Sequence, residues 1–145
     1  MLKMIEDRNA ARGRPSAVSH TDALLNTRQV KLLESLPYYN SQIVVSKSDV
    51  SMKDLSAMTA KTGDEFAMFT RDSERLIVRG NSVKVEVDVD IAKALKAQGY
   101  KWSGHTHSGT SVVPSDGDFL VLKAFDQQRS AIYNSLGQYE VFGGA

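Results

Sequence analysis

The first region with a clear hydrophobic pattern is the segment HTDALLNTRQVKLLESLP. Its leucines fall broadly on one helical face, at Leu24, Leu25, Leu32, Leu33 and Leu36. Apolar residues three to four positions apart predict an amphipathic helix. We expect this helix to begin at a cap on Ser19 or Thr21 and to end before Pro37, whose ring does not fit a helix interior.

Three further segments combine helix-compatible patterns with capping residues. The segment SMKDLSAMTAKTG opens with Ser51 and Asp54 at the spacing of a capping box and closes on a glycine. Asp90 can cap the segment IAKALKAQ. Pro114 and Ser115 resemble the start of a helix over DFLVLKAFDQQ. The pattern therefore predicts four helices.

Between these helices the pattern changes to the period of two that is typical of strands. The segments EFAMFT and RLIVR flank residues 71–74 as a predicted hairpin. The segment SVKVEVDV alternates polar residues with Val83, Val85, Val87 and Val89. This alternation predicts a half-buried strand, and we expect the three strands to pair antiparallel.

The remaining apolar runs predict the other strands. The segments SQIVVS and YKWSGHTH are rich in β-branched or aromatic residues, and SAIYN and QYEVF flank Leu136 and Gly137 as a closing hairpin. Strands interspersed with helices indicate an α/β or α+β layer structure around a mixed sheet.

Length and composition indicate one folded domain. A chain of 145 residues with 41% hydrophobic and 24% charged residues is close to the average of globular proteins. Residues 1–20 carry surplus basic side chains and the helix breakers Gly13 and Pro15, which predicts a flexible arm or linker. We expect a single domain over residues 21–145.

Charge and cysteine content narrow the chemistry. With 18 basic and 17 acidic side chains the formal charge is +1, so we expect no nucleic-acid partner. The chain has no cysteine, so any metal must be held by nitrogen and oxygen ligands. No apolar run approaches the ~18 residues of a membrane span, and the first residues do not resemble a signal peptide. We therefore expect a soluble protein with no export signal of its own.

The segment GHTHSGTSVVPSDGD carries the candidate chemistry. His105 and His107 are two positions apart on a predicted strand, so both imidazoles can point toward one ion. Asp118, in the first turn of the next helix, can fold back and offer a carboxylate oxygen. Two nitrogens, one oxygen and an open fourth position are typical of catalytic zinc.

An ordinary polar turn competes with this interpretation. Ser115 and Asp118 also have the spacing of a capping box, and Asp116 and Gly117 suit a turn. Each feature alone favours that structural explanation. The conjunction of His-x-His with Pro-Ser-x-x-Asp instead favours a metal site.

The pattern His105-x-His107-x7-Ser115-x-x-Asp118 resembles the JAMM motif of the MPN metallopeptidases, which also has an upstream glutamate. The resemblance covers roughly residues 43–142 in element order. It implies a JAMM-like mixed, mostly antiparallel sheet flanked by helices, with cytidine-deaminase-like layering. It also implies that the two histidines and the aspartate bind one zinc ion.

The resemblance assigns roles to two further residues. Ser115 would help to hold the water or the oxyanion, and Glu65, which opens the segment EFAMFT, would be the general base. Glu74 and Glu86 look like hairpin and solvent-face residues, and the alternative for Glu65 is an exposed carboxylate at a strand start. Zinc lowers the pKa of water towards ~7, and a carboxylate can accept its proton. The implied reaction is hydrolysis of a peptide or isopeptide bond.

One position departs from the commonest form of the motif. Ser108 and Gly109 stand where the family has a proline after the second histidine. We expect this change to loosen residues 108–113 and to affect the substrate class more than metal binding.

The basic arm and short body look like the C-terminal JAMM-type domains of bacterial polymorphic toxins. This likeness implies a protein or peptide substrate, an immunity protein as partner, and action in the cytoplasm of a target cell. The alternatives are a non-catalytic MPN-type scaffold and a housekeeping ubiquitin-like-protein isopeptidase. A nearly neutral body disfavours a metal-dependent nuclease.

Other conspicuous side chains receive ordinary roles. The predicted core includes Phe66, Met68, Phe69 and Trp102. For Trp102, a place in the core is favoured over a role as a surface on which substrate stacks. His20 is predicted to be a solvated or capping residue.

Overall fold

A six-stranded sheet organises residues 24–143, the part of the chain that the computed structural model describes. The helices are α1 (Thr27–Glu34), α2 (Met52–Thr62), α3 (Val89–Ala97) and α4 (Asp116–Ala124). The strands are β1 (Gln42–Ser46), β2 (Phe66–Arg71), β3 (Glu74–Arg79), β4 (Lys101–Thr106), β5 (Arg129–Tyr133) and β6 (Tyr139–Gly143). Their order is β1-β3-β2-β4-β5-β6, and only β4 and β5 pair parallel. The predicted mixed, mostly antiparallel sheet with helices is confirmed.

Both predicted hairpins are confirmed. Strands β2 and β3 pair through a turn at which Arg71 faces Glu74, and β1 adds to the other side of β3. Strands β5 and β6 pair through a turn in which Gly137 has a φ of +83°, a conformation that favours glycine. The segments SQIVVS and YKWSGHTH form β1 and β4 as predicted.

Alternation along β2 sends neighbouring side chains into two different apolar clusters. Phe66 and Met68 pack with leucines of α1 and α2, whereas Ala67 and Phe69 pack with residues of α3 and α4. None of these four is more than 2% exposed, which confirms the predicted core roles of Phe66, Met68 and Phe69. The sheet is therefore the middle layer, and full burial of each large side chain contributes ~1.5–3 kcal/mol.

The capping boxes predicted for α2 and α4 are confirmed. Ser51 and Asp54 exchange side-chain and backbone hydrogen bonds at the start of α2, and Ser115 and Asp118 do the same at α4. Gly63 ends α2 with a φ of 80°. Each box satisfies two backbone N–H groups that a helix start leaves unpaired, so it fixes where the helix begins.

The predicted start of α1 is wrong. The helix begins at Thr27, after Asn26, whose side chain accepts a backbone N–H of the first turn. Ser19 and Thr21, the predicted caps, lie outside the described residues. Leu24 precedes the helix and is 92% exposed, so it does not share the buried face of the later leucines.

The predicted cap of α3 is also wrong. Asp88 caps the helix, because its carboxylate accepts the N–H of Ile91, and Asp90 already lies inside the first turn. Two aspartates two positions apart offer alternative caps, and periodicity alone does not choose between them.

The strand predicted from the alternating valines of residues 82–89 is wrong. Residues 82–88 form an irregular loop, turned back by Asn81, whose Oδ1 accepts the N–H groups of Val83 and Lys84, and Val89 begins α3. Among the described strands, neither β2 nor β3 offers the segment a free edge, because β1 and β2 occupy both sides of β3, and β4 takes the other side of β2. The expected three-stranded antiparallel unit therefore contains only the β2–β3 hairpin.

The predicted arm of residues 1–20 lies outside the described part of the chain. Over residues 24–143, no helix combines the length and the apolar character needed to cross a bilayer.

Candidate metal centre

His105 and His107 lie where β4 ends. Ala67 of β2 is the ladder partner of His105, and its small side chain leaves space on that face of the sheet. Thr106 points to the opposite face, where its hydroxyl lies 2.6 Å from that of Thr59 and accepts the N–H of Phe66 at 2.8 Å. The two imidazoles therefore share one side of the strand, as the spacing predicted.

Asp118 reaches both imidazoles from the first turn of α4. Its backbone N–H donates to Ser115 Oγ at 3.1 Å, and its Oδ2 accepts the N–H of Ser115 at 2.9 Å. Its Oδ1 lies 3.1 Å from His105 Nε2, and its Oδ2 lies 3.4 Å from His107 Nε2. The capping box thus holds the carboxylate against the histidines, so the predicted box is confirmed and is compatible with a metal site at the same residues.

The three side chains have the spacing that a single metal ion requires. The Nε2 atoms of His105 and His107 are 3.2 Å apart, close to both nitrogen–oxygen separations. Neighbouring ligand atoms of a tetrahedral ion with bonds of ~2.0–2.1 Å are ~3.3 Å apart. The group can therefore bind one metal ion. Its nitrogen and oxygen donors suit zinc and other divalent first-row metals alike.

Packing orients the ring of His105. Trp102 stacks on it with ring centroids 5.0 Å apart, and Phe142 meets its edge at 6.2 Å. Among the described residues, Nδ1 of His105 is buried without a hydrogen-bond partner. Burial lowers the pKa of His105 against the opposing influence of Asp118. The neutral imidazole that results is the form that binds metals.

The carboxylate of Asp118 stays ionised although it is partly buried. Burial alone would raise its pKa, but hydrogen bonds with His105, His107 and the backbone of Ser115 hold that pKa well below the usual range. An ionised carboxylate beside a neutral imidazole is electrostatically suited to a cation.

Glu65 lies in the same cleft, immediately before β2. It is two residues before Ala67, so it shares the sheet face of His105. Only 8% of Glu65 is exposed, which excludes the alternative of an exposed strand-start carboxylate. Burial raises its pKa to about 8; the N–H of Ser108 opposes this shift, and the charge of Asp118 adds to it. A carboxyl group with such a pKa can exchange protons near neutral pH.

The other two glutamates that the sequence singled out lie elsewhere. Glu74 pairs with Arg71 at 3.2 Å in the β2–β3 turn. Glu86 is half-buried, accepts a hydrogen bond from the hydroxyl of Tyr39 and pairs with Lys84 at 3.4 Å. Neither lines the cleft that holds Glu65 and the histidines.

Ser115 lies at the mouth of the cleft and is exposed. Its oxygen accepts the N–H of Asp118, which leaves its own O–H proton as a donor. The structure therefore brings all five predicted site residues to one cavity.

The turn between β5 and β6 holds residues 107–110. Gly109 exchanges two hydrogen bonds with Ser135, at 3.0 and 2.9 Å, and Asn134 donates to the carbonyl of Thr110 at 2.8 Å. The φ of Gly109 is +85°, which favours glycine there. These contacts oppose the loosening expected from the missing proline.

The cleft has a volume of about 500 Å³ and a largely apolar wall that sequence reasoning missed. The wall is formed by Ala67, Phe69, Val83, Val85, Val87, Trp102, Val113 and Val121. The alternating valines of residues 82–89 were assigned to a strand. Their alternation instead places Val83, Val85 and Val87 along the cleft. Trp102 is 5% exposed, which confirms its core role, and it also borders the site.

Comparison with known proteins adds no family to this description. No protein-family model, no curated protein and no solved structure matches the chain. The candidate site is therefore defined by the geometry of its own residues.

Proposed function

We propose that the protein is a zinc-dependent hydrolase of peptide or isopeptide bonds with a JAMM-type site. One observation carries the proposal: the donor atoms of His105, His107 and Asp118 converge within a metal's reach in the cleft that also holds buried Glu65. The buried carboxyl group of Glu65 in the same cleft favours a catalytic site over a purely structural one, because it is placed to exchange a proton there.

The order of the strands and helices that carry the site residues supports the same proposal. The histidines end β4, the aspartate opens α4, and Glu65 precedes the neighbouring strand β2. This is the order of elements that the JAMM resemblance implies. We therefore extend the proposal to a JAMM-like fold over residues 43–142.

Each site residue has a distinct task in this proposal. His105, His107 and Asp118 hold the ion. When bound, the ion would supply a Lewis acid for the substrate carbonyl, lower the pKa of water and favour the ionised form of Glu65. Glu65 accepts the proton of the attacking water and returns it to the leaving amine. The hydroxyl of Ser115 donates to the oxyanion that forms on the carbonyl.

The biological role belongs to the proposal as well. We propose that the domain is an effector of the polymorphic-toxin kind, which would be restrained at home by an immunity protein. Production of the chain in a bacterial cytoplasm should reduce colony formation, and Glu65→Gln should relieve that effect. Equal toxicity of the wild type and Glu65→Gln would contradict the proposed effector role, but it would say nothing against metal binding.

The primary test combines metal content with hydrolysis. The wild-type chain is purified, loaded with zinc and examined by elemental mass spectrometry beside Asp118→Asn and Asp116→Asn. Asp116 lies in the same helical turn but outside the ligand group, so it is the matched control. We expect about one zinc per chain in the wild type and the control, and loss in Asp118→Asn.

The same preparations are incubated with a randomised peptide library and with isopeptide-linked peptides, and the products are read by mass spectrometry. Cleavage should require zinc and disappear in Glu65→Gln while the zinc remains bound. A folded wild type that binds no zinc, or one that binds zinc and cleaves no peptide or isopeptide bond, would refute the hydrolase.

A further inference from the structure

The apolar wall of the cleft is continuous with the candidate metal centre. Trp102 stacks on His105, and Val121 follows Asp118 by one turn of α4. Both line the cleft together with Phe69, whose side chain is fully buried. A group held beside the ligands would therefore have an apolar surface within its reach.

The loop of residues 82–88 contributes further side chains to this surface. Val85 and Val87 line the cleft and pack against the cluster that contains Trp102, while Glu86 between them turns away to the hydroxyl of Tyr39. Two anchors fix this loop: the side chain of Asn81 and the hydroxyl of Ser108, which donates to the carbonyl of Ser82 at 2.8 Å. These anchors therefore hold the side chains of Val85 and Val87 toward the cleft.

The carboxyl groups of the cleft, Glu65 and Asp118, lie near the histidines, and the basic Lys84, which also lines the cleft, pairs with Glu86 at 3.4 Å. The apolar wall residues offer no cationic group to pair with an acidic side chain. The apolar end has no carboxylate along Phe69, Val85, Val87 and Trp102 to pair with a basic side chain. The cavity of about 500 Å³ is within the range of ligand pockets and has room for a large side chain with its backbone.

We propose that the part of this wall formed by Val85, Val87 and Val121, backed by the buried Phe69 and Trp102, is a specificity subsite for a large apolar side chain next to the scissile bond. The inference rests on the proposed hydrolase and names its substrate class: peptides with leucine, methionine or phenylalanine at one of the two positions flanking the cleaved bond. Val85 and Val87 act as specificity residues, because they contact the side chain and not the reacting atoms.

A binding experiment tests the subsite separately from catalysis. Hydroxamates chelate a metal ion, so two compounds with the same hydroxamate group are anchored to the site in the same way. A leucine and an alanine version then differ only in the side chain offered to the wall. Two matched pairs are used, with the side chain on the acyl side in one and on the amine side in the other. Calorimetry on the zinc-loaded chain should show the leucine compound binding roughly 10- to 50-fold more tightly in one pair, since each buried methylene strengthens binding.

Isosteric variants assign the preference to the wall. Val85→Thr combined with Val87→Thr keeps the volume and adds hydroxyls, and should reduce the leucine preference to about threefold or less with zinc content unchanged. Val44→Thr is the matched control, because Val44 lies on β1, is 51% exposed and does not line the cleft. The control should keep the full preference.

The outcomes separate the two proposals. Equal binding of leucine and alanine compounds in both pairs, or a preference that the double variant retains, overturns the subsite while zinc binding still supports the hydrolase. Failure of all hydroxamates together with the absence of zinc overturns the hydrolase and the subsite with it. A leucine preference that the double variant loses supports the subsite, whatever bond is finally cleaved.

Discussion

Ser115 and Asp118 hydrogen-bond to each other's backbone N–H groups, and the same Asp118 carboxylate faces both imidazoles of the candidate metal centre. The residue that completes the capping box is therefore also a candidate metal ligand. The box holds the carboxylate in place before any ion arrives, which reduces the entropy lost on binding. It also places the partial positive charge of the helix start beside the carboxylate, which helps to keep it ionised.

Zinc should stabilise the fold through the three ligands. At a free zinc concentration of 100 times the dissociation constant, binding adds ~2.7 kcal/mol to the free energy of unfolding. For a domain of this size we expect the melting temperature to rise by about 10 °C. Calorimetric scans with and without zinc measure this rise, which His107→Ala should abolish. His20→Ala, which changes the one histidine outside the motif, should leave it intact, and equal rises in all three forms would contradict the ligand assignment.

The sequence predicted those parts of the fold that local rules determine. The capping boxes at Ser51 and Ser115 and both hairpins were confirmed, because each depends on residues a few positions apart. The start of α1 was wrong because the helix is capped by Asn26, several residues after the expected caps, and the cap of α3 was wrong because Asp88 and Asp90 are alternative caps. The prediction of a strand over residues 82–89 was wrong because strand formation requires a free sheet edge. Which edges are free is a property of the whole topology and not of the local sequence.

The candidate site was also predictable only where local rules determine it. The pairing of His105 with His107 follows from strand alternation, and Asp118 follows from the helix start. The wall of the cleft was not predictable, because Val85 belongs to a loop whose path is fixed by contacts with Asn81 and Ser108. Glu65 was found by resemblance, and its burial depends on the layer packed above it.

Thr106→Val should destabilise the protein without removing the metal. Thr106 accepts the N–H of Phe66 and contacts the hydroxyl of Thr59, all of them buried. Valine has nearly the same shape, so the loss comes from the unsatisfied polar groups and should be ~1–3 kcal/mol. Urea unfolding measures this loss, and the exposed Thr110→Val should change stability by less than ~0.5 kcal/mol. A loss of zinc binding in Thr106→Val would contradict this prediction, because it would show that the contacts of Thr106 also position the histidines on the other face of β4.

Gly109→Ala and Gly117→Ala should have opposite effects on stability. Gly109 has a φ of +85° and open space around an added Cβ, so alanine there costs ~1–2 kcal/mol of backbone strain alone. Gly117 lies in the first turn of α4, where an added Cβ comes no closer than 3.7 Å to Ser115 Oγ, so alanine should stabilise by up to ~1 kcal/mol. Urea midpoints of the two variants check the signs, and a neutral Gly109→Ala would mean that residues 108–113 are less constrained than their hydrogen bonds indicate.

Glu65 should make the metal-free protein less stable as the pH rises. Burial raises its pKa to about 8 in the folded chain from an ordinary 4.5, so between these values the folded state binds the extra proton. The stability due to this group is therefore complete below pH 4.5 and is lost progressively as the pH rises from 4.5 through about 8, by an amount on the order of 5 kcal/mol. Urea unfolding in chelator at pH 5 and pH 9 should show this loss. Glu65→Gln should abolish most of the difference, because an amide does not ionise, whereas the exposed Glu74→Gln should preserve it. The same difference in all three forms would mean that another group controls the titration and that Glu65 is not the proton-exchanging carboxyl of the site.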